Sequence, residues 1–516
     1  MSLKRNVVAN YVGQGWRALM SLAFVPLYIR YLGIEAYGLI GIFAILQAWL
    51  ALLDLGMKPA LGREMARFTA GARSAESIRD LLRSVEVIVL AIAAAVGAGI
   101  WLGSGWLASD WLKSRTLPTA QVAQAVAIMG VVSALRFIES IYDSTLVGLQ
   151  RQVLENVVAS VMATVRSVGA VAVLALVAPT IQAFFIWQGV ISVVSVILLA
   201  AAVYRTLPAA SRPAHFSLPA LLTTWRFAAG MMVITGLALL LTQVDKILLS
   251  RLLTLEAFGY YALAGTVATA LYLLSGPIGI AAYPRFTELV TLGEESRLRA
   301  VYHESAQTVT VLMGAAAVVL IILGDHVLLL WTGDARLTAN VAPLVRVLAL
   351  GTLLNSLMGI PYYLQLAYGW TSLTIRVNAV AVAVLVPAIL WVVPAYGALG
   401  AAWVWVALNV GYLTFEIYFM HRRLLPHEKI RWYRDDVAVP LIAATGAAWL
   451  ARWARPSGLG KVGEICALLA SAVFVVTAAA LTAPLVRSRI MQYLPRSSTS
   501  VPPLPVRERG SGGEAG

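Results

Sequence analysis

Five basic residues lie inside runs of apolar sequence: Arg17, Arg136, Arg166, Lys246 and Arg346. A cation near the centre of a membrane-spanning helix costs about 2.5–3.5 kcal/mol on insertion scales, so such residues face water or a partner rather than lipid. An arginine guanidinium donates two coplanar hydrogen bonds, which match the geometry of a phosphate group. The set therefore predicts a hydrated site for an anion, and phosphate is the group that suits it best.

Other polar residues share a helical face with two of these cations. The recurring sets are Asn10, Gln14, Arg17 and Ser21 in the first run, and Arg136, Glu139, Ser140 and Asp143 in a later one. Intervals of three or four residues place side chains on one face of a helix. We expect these faces to line a polar cavity, with the ligand-binding candidates Asn10, Gln14, Arg17, Arg136, Arg166 and Lys246. Two alternatives stay open: Arg136 pairs with an acid on its own helix, or Lys246 and Arg346 reach the membrane interface.

Acidic residues in the same apolar runs suggest coupling of the site to an ion. The candidates are Asp54, Glu139, Asp143, Asp245 and Glu416. A carboxylate inside a membrane can exchange a proton or bind Na⁺, and such residues mark ion pathways. The alternative is an internal salt bridge, for which Asp245 beside Lys246 is the clearest case.

The amino-acid composition indicates which kind of fold contains these residues. Of 516 residues, 60% are hydrophobic and 12% are charged, and the mean hydropathy is +0.81. Soluble domains are about 45–50% apolar and about 25% charged, so no soluble fold buries this much apolar surface. The sequence predicts an all-α polytopic membrane protein. The formal net charge of +14 is typical of cytoplasmic loops rich in Lys and Arg, and we expect no nucleic-acid partner.

We predict about fourteen transmembrane helices in two lobes. Their approximate ranges are 10–29, 36–56, 84–107, 121–147, 154–176, 180–204, 227–250, 257–280, 305–324, 340–364, 373–394, 398–421, 437–454 and 462–484. Most Lys and Arg residues then fall on the side that holds both termini, which we predict to be cytoplasmic. The expected units are an N-terminal lobe (1–204), a cytoplasmic linker (205–226), a C-terminal lobe (227–422), two extra helices (437–484) and a disordered cytoplasmic tail (485–516).

A nine-residue pattern occurs once near the start of each predicted lobe. Residues 30–38 read RYLGIEAYG, and residues 251–259 read RLLTLEAFG. Six helices separate the two copies, so the lobes are predicted to be parallel repeats related by an axis along the membrane normal. We interpret the pattern as the outside corner of the first helical hairpin, where glycine permits a tight turn.

Few residues point to catalysis or to a bound cofactor. Cys466 is the only cysteine, which excludes an intramolecular disulfide, and the five His residues lack metal-ligand spacing. We find no phosphate-binding glycine loop and no nucleophile elbow. The sequence predicts no metal, no cofactor and no enzymatic activity.

Short motifs in both lobes are typical of one family. They are Gly13, Pro26, Tyr31-Leu32-Gly33, Tyr37-Gly38, Asp54-Leu55-Gly56 and Arg63, followed by Asp245-Lys246-Ile247 and Gly259-Tyr260-Tyr261. They resemble bacterial O-antigen and exopolysaccharide flippases of the Wzx type, in the multidrug/oligosaccharidyl-lipid/polysaccharide exporter superfamily. The resemblance implies a protein of the bacterial inner membrane that moves an undecaprenyl-diphosphate-linked oligosaccharide to the periplasmic leaflet by alternating access.

The resemblance also implies roles for residues and partners. Arg17 and Arg136 would bind the diphosphate, and amide and aromatic side chains would contact the sugar. The lipid tail would stay in the bilayer and reach it through a gap between the lobes. The expected partners are this lipid-linked oligosaccharide, membrane lipids, H⁺ or Na⁺, and the polysaccharide polymerase and chain-length machinery.

Other functions stay open at this point. A lipid II flippase or a drug exporter has the same two lobes, although basic helices favour an anion over a cationic drug. A polysaccharide polymerase or glycosyltransferase needs catalytic residues in large outside loops. The predicted outside loops, around 108–120 and 325–339, are short and hold few acids (Asp110, Asp325 and Asp334). We predict that Asp435 and Asp436 lie in a solvated cytoplasmic loop. A scaffold in an assembly complex would not explain the intramembrane cations.

Overall fold

The computed structural model describes residues 3–53, 56–69, 71, 74–208, 210–456 and 458–493. These residues form helices and short connections, and they contain no β-strand beyond one isolated bridge between Lys113 and Thr254. The first half contains α1 (Leu3–Ala23), α2 (Val25–Leu32), α3 (Ile34–Leu53), α4 (Met57–Thr69), α5 (Ala75–Trp106), a π-helical turn (Leu107–Trp111), α6 (Thr119–Gly148), α7 (Gln152–Leu176) and α8 (Ile181–Thr206).

The second half begins with a long helix after a short connection. Its elements are α9 (Leu218–Leu252), α10 (Leu255–Ala270), α11 (Tyr272–Leu292), α12 (Glu295–Val309), a π-helical turn (Thr310–Gly314), α13 (Ala315–Thr332), α14 (Ala335–Leu357), α15 (Gly359–Ala367) and α16 (Ser372–Gly411). A π-helical turn (Tyr412–Glu416), α17 (Ile417–Leu424), α18 (Lys429–Arg431), another π-helical turn (Trp432–Ala438), α19 (Val439–Trp453), α20 (Lys461–Thr482) and α21 (Pro484–Tyr493) follow.

The helices have the length and composition of membrane spans. Among the described residues, eight helical segments are apolar enough to cross a bilayer, and a ninth forms if α10 and α11, bent by 41°, count as one span. The shorter apolar segment Ile34–Leu50 belongs to α3. The protein is therefore an all-α, multi-pass membrane protein, as the composition predicts.

Proline and glycine set the breaks within the long helices. Pro26 occupies the first turn of α2, where its missing N–H costs no helical hydrogen bond. Gly33 has φ of 82° and ends α2. Within α16, Gly397 has φ of 59° and ψ of −147°, a conformation that L side chains avoid. This glycine divides α16 into two helices, close to the boundary that the sequence predicts between 373–394 and 398–421.

The fourteen predicted ranges each overlap a helix, and three segments outside those ranges also contain helical residues. The predicted linker 205–226 includes the first turns of α9, which begins at Leu218. Contacts with α5 fix the approach to this helix, since Arg212 Nη2 lies 2.5 Å from Asp80 Oδ2 and the Ser217 N–H donates to Ser84 Oγ at 2.7 Å.

The other two segments are the connection after the second predicted helix and the C-terminal tail, and only the tail was predicted to be disordered. The loop after the second predicted helix contains the amphipathic helix α4. The predicted disordered tail, 485–516, begins with α21, because the Leu485 N–H donates to Gln307 Oε1 at 2.9 Å and Arg489 pairs with Glu304 at 2.6 Å. The remainder of that tail, 494–516, lies outside the described residues.

The two copies of the nine-residue pattern meet each other. A Cβ on Gly38 would lie 2.5 Å from the carbonyl oxygen of Leu255, and a Cβ on Gly259 would overlap the carbonyl of Ile34. Ile34 and Leu255 hold the same position in the two copies, and so do the two glycines. The contact is therefore reciprocal, as expected for two parallel repeats around one axis. Gly38 lies inside α3, so its role is close helix packing and not the tight turn that we predicted.

A shared core joins the halves beneath this contact. It combines Val25, Tyr37 and Ile45 from the first half with Phe258 and Leu348 from the second. Lipid tails are as apolar as these side chains, so close van der Waals packing, rather than exclusion of water, stabilises the contact within the membrane. The reciprocal glycines permit that packing by bringing α3 and α10 together.

Candidate functional site

The polar face of α1 packs against α7. Arg17 donates from Nη1 to Glu155 Oε1 at 3.0 Å and from Nη2 to Asn156 Oδ1 at 3.3 Å. Asn10 donates to Gln152 Oε1 at 3.0 Å and accepts from Asn156 Nδ2 at 2.7 Å. Side chains of α7 thus satisfy Asn10 and Arg17, and the positive charge of Arg17 is balanced by Glu155.

Arg136 is held by neutral groups between α3, α6 and α8. Its Nη2 donates to Gln188 Oε1 at 3.0 Å, and its guanidinium carbon lies 4.9 Å from the centroid of the Phe43 ring. Its Nε is buried without a hydrogen-bond partner. Neither Gln188 nor Phe43 carries a charge, so these contacts leave the positive charge of Arg136 unbalanced.

Arg166 pairs with Glu139, the acid that lies one helical turn from Arg136 in the sequence. Arg166 Nη2 lies 3.4 Å from Glu139 Oε2, and the side chains are 19% and 16% exposed. The pair joins α7 to α6 and balances both charges. Asp143, one turn beyond Glu139 on α6, is half-buried. Of the three predicted cations in this half, Arg17 and Arg166 form ion pairs.

The adjacent Asp245 and Lys246 point to different partners. Lys246 Nζ donates to the Thr242 carbonyl at 2.9 Å and to Gln243 Oε1 at 3.2 Å. Asp245 Oδ2 accepts from the Tyr261 hydroxyl at 3.4 Å, and its Oδ1 is buried without a hydrogen-bond partner. The Asp245 carboxylate therefore has an unused acceptor inside the bundle.

Three further candidates have separate outcomes. Arg346 lies 3.5 Å from Asp325, which also binds Arg452 at 2.8 Å, so this cation belongs to an ion-pair cluster. Gln14 is exposed. Asp54 lies outside the described residues.

The second half contains a pocket of about 460 Å³ lined by polar and apolar side chains, here called the amide pocket. Its polar lining includes Tyr272, Asn355, Thr374, Asn378, Tyr412 and Glu416. Asn355 is central, because its Oδ1 accepts from the Tyr272 hydroxyl and its Nδ2 donates to Asn409 Oδ1, each at 2.8 Å. Tyr412 donates to Asn378 Oδ1 at 3.0 Å. Helices α11, α14 and α16 thus converge on a network of amides and phenols.

Glu416 lies at the edge of the amide pocket. Only 4% of the residue is exposed, and its Oε1 accepts from Gln365 Nε2 at 3.0 Å and from Thr374 Oγ1 at 3.1 Å. Two donors therefore satisfy this carboxylate without a cation. Glu416 is better suited to fixing α15 against α16 than to exchanging an ion.

The amide pocket has the chemistry of a site for neutral polyhydroxylated ligands. Amides and hydroxyls both donate and accept hydrogen bonds, as sugar hydroxyls do. Trp405 and Tyr362 also line the pocket and offer flat apolar surface beside these groups. Ligand pockets commonly combine apolar walls with a few placed polar groups.

Three of the acids considered for an enzymatic function, Asp325, Asp334 and Asp436, have partners within the protein. Asp325 is paired with Arg452, and Asp334 accepts from the Leu337 N–H at the start of α14. Asp436 is fully buried, so the prediction of a solvated loop is wrong for this residue. It binds His303 and accepts from Gln307 Nε2 at 2.9 Å, contacts that the distance along the chain concealed.

The neighbouring Asp435 differs from Asp436. It accepts from Arg434 Nε at 2.7 Å, and this hydrogen bond to a guanidinium lowers the pKa of Asp435. Asp436 therefore contacts a buried histidine, whereas Asp435 forms an ion pair at the surface. No group of three or more His, Cys, Asp or Glu side chains is placed to hold a metal ion among the described residues.

Sequence reasoning missed the partners that complete these networks. Gln152, Glu155, Asn156 and Gln188 satisfy the predicted cation faces, while Asn355, Gln365 and Asn378 build the amide pocket. Each is a polar residue on an otherwise apolar helix. The polar character of these positions is visible in the sequence, but the sequence does not show which helices pack against each other.

Sequence comparison identifies the family. The profile of a family described as "Polysaccharide biosynthesis protein" matches residues 3–290, more than half of the chain. A protein of Shigella flexneri named "Putative O-antigen transporter" is 22% identical over 409 residues, which cover 78% of this chain and 94% of that protein. The predicted family resemblance is confirmed.

Comparison with solved structures agrees with the fold described above. The lipid II flippase MurJ, in an inward closed conformation, superposes with a TM-score of 0.71 at 11% identity, over 94% of this chain and 99% of that one. A multidrug resistance MATE family transporter of the MOP superfamily, in an inward-facing conformation, gives a TM-score of 0.58 at 12% identity, over 82% and 97% of the two chains. At these identities the likeness concerns the fold.

Proposed function

Because the chain belongs to the polysaccharide biosynthesis protein family, we propose that it is a flippase for a lipid-linked oligosaccharide. The substrate is an oligosaccharide on undecaprenyl diphosphate, carried from the cytoplasmic to the periplasmic leaflet for bacterial surface polysaccharide. The protein lies in the inner membrane with both termini in the cytoplasm. Its two lobes, 1–204 and 227–422, alternate access to the substrate.

The amide pocket is the observation that carries this proposal. A site lined by Tyr272, Asn355, Asn378 and Trp405 inside a membrane bundle suits sugar units that must cross an apolar layer. Apart from Glu416, whose carboxylate already accepts from Gln365 and Thr374, the polar groups of the pocket are neutral amides and hydroxyls, which suit sugar hydroxyls. A glycan would exchange its hydrogen bonds with water for bonds to the pocket during passage.

The reciprocal glycine contact supports alternating access. With both termini in the cytoplasm, Gly38 and Gly259 lie toward the periplasm, where α3 and α10 close the gap between the halves. When this contact is made, the substrate site opens to the cytoplasm. When the contact is broken, the site opens to the periplasm. These are the two states that transport by alternating access requires.

The ionisable residues divide into structural pairs and transport candidates. We assign Arg17 and Arg166 to ion pairs with Glu155 and Glu139. Arg136, held only by neutral contacts, meets the diphosphate during passage. Asp245 is the coupling site for H⁺ or Na⁺, because a carboxylate oxygen that lacks a donor in the bundle needs a proton or a cation.

Gene deletion in the native bacterium tests the proposal. Loss of the protein should abolish surface polysaccharide and trap intact lipid-linked oligosaccharide in the cytoplasmic leaflet, and the wild-type gene should restore both. Precursor that reached the periplasmic leaflet normally but stayed unpolymerised would instead identify a polymerase.

A further inference from the structure

A long apolar groove runs along the two halves of α16 on the outer surface of the bundle. It has a volume of about 1160 Å³. Pockets for small compact ligands usually measure about 300–1,000 Å³, so a larger, elongated groove suits a chain-like ligand. Val380, Val384 and Phe415 line the groove and are 64%, 58% and 66% exposed. A bilayer lipid can therefore enter from the side.

The groove exists because α16 folds back on itself. Gly397 turns the chain, and Pro387 and Pro394 interrupt the hydrogen bonding of the arm that precedes it. The lining extends from Arg376 to Trp391 along this arm. At 1.5 Å per residue that stretch is about 22 Å long, more than one leaflet of a hydrocarbon core of about 30 Å.

Three arginines stand at the end of the groove opposite Gly397. Arg376, Arg422 and Arg423 all line it, and the guanidinium of Arg423 lies 4.3 Å from the centroid of the Trp370 ring. All three are exposed, and no ion pair joins any of them to a carboxylate in the described part of the chain. The groove thus combines an apolar wall with a cluster of available positive charge.

A second cavity with arginines has part of its positive charge balanced by a carboxylate. It is lined by Arg346 and Arg452, and both contact the carboxylate of Asp325. Arg17 and Arg166 are likewise paired in the first half. The α16 groove, by contrast, is lined by three arginines that form no ion pair within the described part of the chain. A diphosphate carries more charge than one arginine can balance, and guanidinium forks bind phosphate oxygens in pairs.

The groove also shares a wall with the amide pocket. Leu408 and Tyr412 line both cavities, so these two side chains form part of the wall between them. Tyr412 turns its hydroxyl toward Asn378, on the side of the amide pocket. The apolar wall, the arginines and the amide pocket are therefore contiguous. They match a molecule that has an apolar tail, an anionic head group and a polar extension.

We propose that the α16 groove is the loading site for the polyprenyl diphosphate portion of the substrate. The isoprenoid chain lies along Val380, Val384 and Phe415, and the diphosphate binds Arg376, Arg422 and Arg423. The first sugars then reach the amide pocket past Tyr412. This inference rests on the proposed flippase function and differs from the sequence-based expectation, in which the tail leaves through a gap between the lobes.

Binding of undecaprenyl diphosphate to the purified full chain, measured by native mass spectrometry, tests the loading site. The triple variant Arg376→Gln/Arg422→Gln/Arg423→Gln should raise the Kd at least tenfold. The matched control Arg285→Gln/Arg297→Gln/Arg434→Gln removes three arginines that already pair with neighbouring acids, and its Kd should change less than twofold. Phosphatidylglycerol, an anionic lipid without an isoprenoid chain, should not compete at equal concentration.

A second variant separates binding from folding. Ala388 lines the groove, so Ala388→Trp places an indole in the space assigned to the isoprenoid chain and should also weaken binding at least tenfold. An unchanged Kd in Ala388→Trp and in the triple variant overturns the loading site, and so does equal competition by phosphatidylglycerol, which would make the groove a general phospholipid site. Failure of the flippase function looks different, because the lipid-linked oligosaccharide of the deletion strain would then reach the periplasmic leaflet normally, whatever the Kd.

Discussion

The carbonyl oxygen of Leu255 occupies the space where a side chain on Gly38 would begin. The equivalent relationship joins Gly259 to Ile34, so each copy of the repeated pattern supplies both the glycine and the carbonyl that it meets. A pattern repeated in one chain thus forms a self-complementary contact between the two halves. We interpret it as the periplasmic closure of the transporter.

Enlarging either glycine should open this closure. Gly38→Ala and Gly259→Ala each place a Cβ closer to a carbonyl than a carbon atom can approach, so the state with α3 against α10 should lose population. Spin labels on the two halves, on a Cys466→Ser background, should report a longer distance between α3 and α10, and transport should fall at least tenfold. Gly265→Ala is the control, because nothing lies within 4 Å of its added Cβ on the same helix α10. Unchanged label distances in both glycine variants would rule out the closure.

Arg17 should act mainly through Glu155. Arg17→Ala leaves the Glu155 carboxylate, only 10% exposed, without its cation and should lower the free energy of unfolding by about 1–3 kcal/mol. The double variant Arg17→Gln/Glu155→Gln should recover most of that loss, since an amide pair replaces the ion pair. Thermal unfolding in detergent measures both. Full stability with lost transport in Arg17→Ala would instead assign Arg17 to the substrate, as the sequence alone predicts.

Removal of a hydrogen-bonding side chain from the amide pocket should reduce the rate of transport. Asn378→Leu removes an acceptor for Tyr412 and a group for sugar hydroxyls, so transport should fall about tenfold, which corresponds to about 1.4 kcal/mol. Asn340→Leu is the matched control, because Asn340 is exposed near the start of α14 and donates a hydrogen bond to the Arg336 carbonyl of its own helix. Equal activity of the two variants would exclude the pocket from the transport path.

Asp245 should link transport to an ion gradient. Asp245→Asn keeps the acceptor for the Tyr261 hydroxyl but cannot change its charge, so transport should become insensitive to an imposed H⁺ or Na⁺ gradient. Glu416→Gln should keep that sensitivity, since two donors already satisfy this carboxylate. Initial rates in vesicles with and without each gradient distinguish the variants. Wild-type rates that ignore both gradients would contradict the coupling role.

Much of the fold follows from local sequence. Apolar runs of membrane length predict the helices, because a chain in lipid satisfies its backbone hydrogen bonds within each helix. The break at Gly397 follows from a residue that tolerates positive φ, with Pro394 nearby. The repeated pattern correctly points to related halves, but the role of its glycine in helix contact depends on packing that no single segment encodes.

The site was harder to predict because its contacts are long-range. Arg17 finds Glu155 on another helix, and His303 finds Asp436 from more than a hundred residues away. Spacing within one helix suggested that Arg136 pairs with Glu139, whereas Arg166 from α7 takes that acid. A sequence shows which residues need a partner, and the packing of the helices decides which partner each one receives.

Movement of the lipid-linked oligosaccharide between leaflets is the most direct test of the account. The protein would be reconstituted in sealed vesicles that carry the undecaprenyl-diphosphate-linked oligosaccharide in both leaflets, and an impermeant glycosidase would be added outside. Wild-type protein should expose nearly all of the glycan, Gly38→Ala protein should expose the inner half at least tenfold more slowly, and vesicles without protein should protect the inner half. Protection of that half in the presence of active, folded wild-type protein would contradict the proposed flippase.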